Sequence, residues 1–272
     1  VEKEIMAKNI ATSTVLPKPN LGLNGFMFLG LLFFTIPIVS SILFSVQVGD
    51  GTYTLGAYQR MLSDPLMIAS IWLSAQMTLL TVLIILLLMV PTVTWIYIRA
   101  PKARRFVEFV TILPLTIPPI VTGLGILNSM PNFMLNTPYL MALVYGVLTM
   151  PYTFRALDNG LSSIDVRTLV DAGRGLGASW RQVLFNVIAP NIKSAIFGAV
   201  FLGVALVLGE FVIASVLLWE TLPVWMANIG LQDAEGAVAL SVMSLIFVWL
   251  LLMILSLLDR KKKIKVRLGG AS

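Results

Sequence analysis

Long uncharged apolar stretches alternate along the chain with short polar or basic segments. No charge occurs from Leu21 to Gly49, and Phe26 to Val46 matches the ~20 residues a helix needs to cross a bilayer. A polar, turn-rich loop leads to a second uncharged run from Pro65 to Ile98, longer than one crossing, which predicts a tilted helix or one that continues past the membrane. The next run, Phe109 to Phe154, is interrupted at Asn128 to Asn132 and at Asn136 to Pro138, which predicts two spans with a short connection. Pro114, Pro118 and Pro119, followed by Gly123 and Gly125, predict that the third span is kinked or unwound. The fourth span is predicted to end between Pro151 and Arg155, the fifth to run from about Ala195 to Leu218, and the sixth from Ala237 to Leu258.

Between spans four and five lies a polar, glycine-punctuated segment whose spacing predicts two short helices. Ser162 and Asp165 are spaced as a capping box, and Val166, Leu169, Val170 and Gly173 follow at i, i+3, i+4 and i+7, forming one apolar face. After Gly175 and Gly177, Ser179 and Gln182 form a second capping pair. Trp180, Val183, Leu184 and Val187 then share a face, and Pro190 is expected to stop the helix. The segment reads as an elbow.

Composition fixes the class. With 58% hydrophobic and 12% charged residues and a mean hydropathy of +0.92, the sequence is that of an all-α integral membrane protein with six transmembrane helices. The absence of Cys and His excludes disulfides, thiolate chemistry and conventional zinc or haem sites. The net charge of +6 reflects topology rather than nucleic-acid binding: with both termini in the cytoplasm, 18 of the 19 Lys and Arg residues fall inside, against Arg60 outside. Residues 1–20 then form a cytoplasmic lead without the apolar core of a cleavable signal peptide. Residues 21–258 form the six-span domain, with a cytoplasmic loop at about 159–193, and residues 259–272 form a basic tail.

The elbow carries a resemblance. Asp171-Ala172-Gly173, three residues, Gly177, nine residues, then Val187-Ile188-Ala189-Pro190 resembles the EAA loop of permease subunits in ATP-binding-cassette (ABC) importers, with Asp for Glu, Gly for the second Ala, Val for Ile and Ala for Leu. The resemblance extends to the six spans and the place of the loop, and it implies a type I importer permease fold with cytoplasmic coupling helices. It further implies that Val166, Leu169, Asp171, Ala172, Gly173, Leu176, Gly177 and Pro190 couple the chain to an ATPase. The implied assembly sits in a prokaryotic plasma (inner) membrane. It contains a second permease subunit, with a heterodimer favoured, two cytoplasmic ABC ATPases that use ATP and Mg, and an external substrate-binding protein. The chain itself binds no cofactor and is non-catalytic, having no G-x-x-x-x-G-K-[ST] loop.

The runs LPLTIPPIVTGLGIL and LGEFVIASVLL are similar to permeases for polyamines, ferric iron, molybdate or sulfate, and aminophosphonates, among which a polyamine (spermidine or putrescine) is preferred. Glu210, an ionisable residue at membrane depth, carries two readings: it lines the translocation path or gate with Pro118, Pro119 and Gly123, or it is a carboxylate satisfied by helix-terminal amides. Glu108 is expected to pair with Arg104 or Arg105 on its own helix. Trp72, Trp95, Tyr97, Trp219 and Trp225 are expected as belt anchors, and Asn228, Gln232, Asp233 and Glu235 as an external loop. Two rival classes fit poorly. An ion-coupled secondary transporter usually places paired charges or broken helices in both halves of a repeat, and a membrane enzyme needs an acid–base or metal constellation.

Overall fold

The computed structural model describes residues 21–48 and 51–268. The expected lead, residues 1–20, and the last four residues of the basic tail lie outside them. Regular structure among the described residues is helical, apart from an isolated bridge between Gln47 and Tyr53. The helices are α1 (Leu21–Val46), α2 (Gly56–Leu62), α3 (Pro65–Arg99), α4 (Arg104–Thr116), α5 (Pro119–Ser129), α6 (Asn132–Leu135), α7 (Tyr139–Ser162), α8 (Val166–Gly175), α9 (Trp180–Asn191), α10 (Lys193–Leu208), α11 (Val212–Val216), α12 (Leu222–Ile229) and α13 (Ala234–Leu268).

Among the described residues three helices, in α1, α3 and α7, are long and apolar enough to cross a membrane, and the count rises to five if each of two bent pairs is one span. The pairs are α4 with α5, bent by 88°, and α9 with α10, bent by 82°. The third expected span is therefore unwound at its prolines, the second of the two expected forms, and broken into two helices there. Ile117 is extended (φ −95°, ψ 124°), as a residue before proline must be, and Pro118 and Pro119 remove two successive amide donors. The fourth span outruns its expected end: α7 passes through Pro151 to Ser162. The fifth is cut short at Leu208, and α11 follows as a separate piece.

Both π-helical segments have the same cause. Ile85–Met89 precedes Pro91, and Val183–Ile188 precedes Pro190. The widened turn, in which the Val90 and Ala189 amides reach back five residues to the Ile85 and Leu184 carbonyls, gives the proline ring room it lacks in an α-helix. Pro190 accordingly does not stop the second elbow helix, which continues to Asn191.

The chain divides into two compact units, residues 1–59 with 234–272, and residues 60–233. In the first, α1 packs along α13, and the Ser45 and Tyr58 hydroxyls hydrogen-bond at 2.7 Å. In the second, α3, α7 and α10 pack pairwise. Lipid supplies no hydrophobic drive for such contacts, so small residues set the approach. A Cβ added at Gly160 of α7 would lie 2.2 Å from the Ala195 Cβ of α10, and one at Gly203 would lie 2.4 Å from the Ile85 Cδ1. Gly160→Ala is therefore expected to lower stability by about 1–3 kcal/mol through overpacking, whereas Gly198→Ala, with nothing within 4 Å, gains the few tenths to ~1 kcal/mol of helix propensity. Thermal unfolding of the purified complex separates the two.

Candidate functional site

Local chemistry builds the elbow one turn at a time. Asp165 caps α8, its Oδ1 accepting from the Thr168 amide at 3.2 Å and its Oδ2 from the Thr168 hydroxyl at 2.7 Å. Those bonds from the hydroxyl and then the amide hold the Asp165 carboxyl below its ordinary value of 3.8. The cap is intact above the ordinary carboxylate range and is lost as pH falls through the lowered value. The expected Ser162–Asp165 box does not form. Because α7 runs on to Ser162, that serine is a helix-terminal residue and donates to the Asn159 carbonyl.

At the other end of α8 the chain turns through a Schellman motif. The Gly177 amide donates to the Arg174 carbonyl at 3.0 Å and the Ala178 amide to the Gly173 carbonyl at 3.1 Å, with Gly177 at φ +83°. Arg174 Nη1 ties the turn by donating to the Ala178 carbonyl at 2.8 Å. Ser179 and Gln182 then form the expected reciprocal capping box, at 2.7 and 3.3 Å. Gly177→Ala is expected to cost roughly 1–2 kcal/mol, since the left-handed conformation strains any Cβ, and to show as faster amide exchange at Gly177 and Ala178.

The apolar face of α8 points into the protein, which corrects the expectation that it docks a partner. Val166 and Val170 are buried in one core with Val183, Ile188, Phe154, Leu157 and Leu161, and Leu169 packs against it. Gly173 faces the same way, its missing Cβ 3.3 Å from Val183 Cγ2. A single apolar stripe on a short helix is spent on its own domain before any partner arrives. What remains outward is Asp171, Ala172, Gly177, Pro190 and above all Leu176, 89% exposed at the tip of the turn.

The elbow is clasped to the end of α3 by an aromatic and cationic stack. Trp95 and Trp180 meet edge to face at 6.3 Å, and the Arg99 guanidinium lies 4.6 Å from the Trp180 ring and 5.6 Å from the Trp95 ring, with Arg174 at 5.0 Å from Trp180. Trp95, expected as a belt anchor, thus packs on the elbow. Tyr97 carries Arg104 over its ring at 5.0 Å, and Trp225 is buried. The i, i+4 spacing of Trp95 and Arg99 was the available signal for this cluster. Ion pairs here run between helices: Arg104 of α4 pairs with Asp158 of α7, and Glu108 lies 3.7 Å from Arg155 rather than pairing along its own helix. Close packing of α4 on α7 brings those partners together. In the turn before α13, Asp233 accepts two bonds from Arg60.

A second constellation forms where spans three and five are broken. Gly123 of α5 is buried against Val216 of α11, its missing Cβ 2.8 Å from Val216 Cγ1. Glu210 stands in the break before α11. Its Oε1 accepts from the Ile213 amide at 2.7 Å, and its Oε2 from the Ala214 amide at 3.3 Å and the buried Tyr145 hydroxyl at 2.9 Å. The carboxylate thereby satisfies the first amides of α11 and fastens it to α7. Pro118 and Pro119 are exposed at the start of α5 and belong to the same break. Tyr145 and Leu218 had no distinguishing pattern in the sequence. Leu218 closes α11 in the left-handed region (φ 60°) with its side chain 87% exposed.

Comparisons with known proteins agree with this architecture. A family model described as the binding-protein-dependent transport system inner membrane component matches residues 97–263. The molybdate/tungstate transport system permease protein of Pyrococcus furiosus is 30% identical over 176 residues, covering 64% of this chain and 70% of that protein. The spermidine/putrescine transport system permease protein of Haemophilus influenzae is 28% identical over 216 residues, covering 70% and 75%. The fold is that of a chain in the crystal structure of a bacterial ABC transporter involved in the import of the acidic polysaccharide alginate. The TM-score is 0.68 at 21% identity, over 86% of this chain and 95% of that one.

Proposed function

The chain belongs to the family of inner membrane components of binding-protein-dependent transport systems, and we propose that its elbow, α8 and α9, is the seat of a cytoplasmic ATPase. It is a membrane-embedded permease subunit of an ABC importer with the type I permease fold. The observation that carries the reading is Leu176, a large apolar side chain 89% exposed on a turn held rigid by the Schellman motif and the Arg174 bond. A closing ATPase that grips this tip moves α9, and α9 passes the motion directly into α10 across their 82° bend and into α3 through the Trp95–Arg99–Trp180 stack.

The assembly consists of two permeases, of which this chain is one half and a different chain the other, two ATPases that bind ATP and Mg, and an external binding protein that delivers the solute. Both termini of this chain face the cytoplasm, and the chain does no chemistry itself. The solute is a polyamine, supported by the Haemophilus influenzae relative; the Pyrococcus furiosus relative supports a second reading, an oxyanion of the molybdate type. Glu210 does not choose between them, because its charge is spent on the α11 amides and Tyr145.

The chain has no cysteine, so Leu176→Cys provides a single cross-linking point. A bifunctional reagent is expected to join that position to the ATPase in membranes, and a complex that transports without ever yielding this product refutes the seat. Uptake by this chain alone, driven by an ion gradient, refutes the importer assembly. Thermal-shift screening of the cognate binding protein with spermidine, putrescine, molybdate and tungstate decides the solute.

A further inference from the structure

Beside the elbow, the last turns of α3 and the start of α9 enclose a cleft of about 440 Å3, walled by Pro91, Trp95, Ile98, Trp180, Leu184 and Phe185. Its walls are mostly apolar, with Thr92 and Thr94 among them, yet Trp95 and Phe185 remain 53% and 59% exposed. Arg181 lines the cleft, and Arg99 lies over both indoles. Arg174 joins them on Trp180. Among the described residues none of these three guanidinium groups is ion-paired with a carboxylate. Arg181 thus lines an apolar slot, and Arg99, the last residue of the membrane-crossing helix α3, and Arg174 of α8 lie over the Trp180 ring that walls it, none of them offset by a carboxylate.

We infer that this cleft binds an acidic phospholipid, its phosphate held by Arg99 and Arg181 and one acyl chain lying against Trp95, Leu184 and Phe185. The chemistry selects this occupant on two counts. Unpaired arginines at a membrane surface attract anionic headgroups, and a planar guanidinium presents paired donors to a phosphate. The α3 wall of the slot runs from Ile98 back to Pro91, two turns into a helix long and apolar enough to cross a membrane, where an acyl chain would cover the exposed rings and a soluble anion would not. A lipid so placed touches both sides of the Trp95–Trp180 contact, and therefore tunes how firmly the elbow is clasped to α3. The inference does not depend on which protein seats on Leu176.

The test uses the intact complex of permeases and ATPases in detergent, titrated with brominated-chain phosphatidylglycerol or phosphatidylcholine. Tryptophan quenching is read as the difference from Trp95→Phe/Trp180→Phe protein. Phosphatidylglycerol is expected to quench at about tenfold lower concentration than phosphatidylcholine. Arg99→Gln with Arg181→Gln is expected to abolish the difference, and Arg181→Lys to keep most of it. If Arg99→Gln lowers the yield of folded complex, Arg181→Gln alone is expected to shrink the preference, since its guanidinium has no ionic partner within the protein among the described residues. Millimolar inorganic phosphate is expected to leave the quenching unchanged; displacement by it would assign the arginines to a soluble anion and overturn the proposal. Equal quenching by the two lipids overturns it, as does a preference that emerges only once the ATPases are stripped away, which would assign the arginines to the partner protein.

Discussion

Replacing Leu176 by aspartate is expected to reduce uptake by two orders of magnitude or more while the permease inserts and folds normally. The side chain is 89% exposed and sits past the last residue of α8, so the substitution removes little of the protein's own packing. On docking, burial of a leucine contributes about 1.5–3 kcal/mol, and an unpaired carboxylate forced into an apolar groove adds a comparable or larger penalty. Each 1.4 kcal/mol is tenfold in the bound fraction, so the two effects together release the ATPase. Leu176→Met keeps the apolar contact and should transport. Val170→Asp provides the contrast, because Val170 is buried in the core shared with Val183 and Ile188 and its loss destabilises the permease itself. A charge at Gly173 would act the same way, being aimed at Val183. Co-purification of the ATPase with each variant, beside thermal stability, distinguishes lost docking from lost folding. Wild-type association by Leu176→Asp would remove the seat from this turn.

The features legible in the sequence are those written in local code. Gly177 in the left-handed conformation and the Ser179–Gln182 box are determined by a few adjacent residues, and the break at Pro118 and Pro119 follows from missing donors and ring sterics. The direction in which α8 turns its apolar stripe was not legible, because Val166, Leu169 and Val170 give the same spacing whether they meet a partner or the protein's own core. Which arginine meets which carboxylate depends on the packing of α4 against α7, so Glu108 finds Arg155 instead of a residue one turn away. The 88° angle between α4 and α5 likewise follows from where α5 finds its neighbour, with Gly123 seated on Val216. Prolines license such a break without choosing its angle.

The remaining large effect separates the two roles open to Glu210. If the carboxylate works as a cap, what matters is its acceptor oxygens, and if it works on the translocation path, what matters is its charge. Glu210→Gln keeps an acceptor for the Ile213 amide and turns an NH2 donor toward the Tyr145 hydroxyl, which can accept it, while the 3.3 Å bond from the Ala214 amide is lost, so the capping role predicts a small loss of stability and uptake within a few-fold of wild type. Glu210→Ala leaves the Ile213 and Ala214 amides and the buried Tyr145 hydroxyl without their acceptor. Each costs about 1–3 kcal/mol where water cannot replace it, enough to unseat α11 from α7 and to lower uptake tenfold or more together with stability. Tyr145→Phe likewise removes one of the three bonds and should lie near Glu210→Gln, well above Glu210→Ala. Glu210→Gln and Tyr145→Phe close to wild type, with Glu210→Ala well below both in melting temperature and transport, is the signature of a cap. A Glu210→Gln complex that assembles with normal stability but does not transport reverses the conclusion, because only the charge has then been removed. The same charge-neutral variant bears on the solute: a polyamine importer that relied on Glu210 as a counter-charge would lose transport there, whereas a carboxylate held by three protein donors leaves selection to the binding protein.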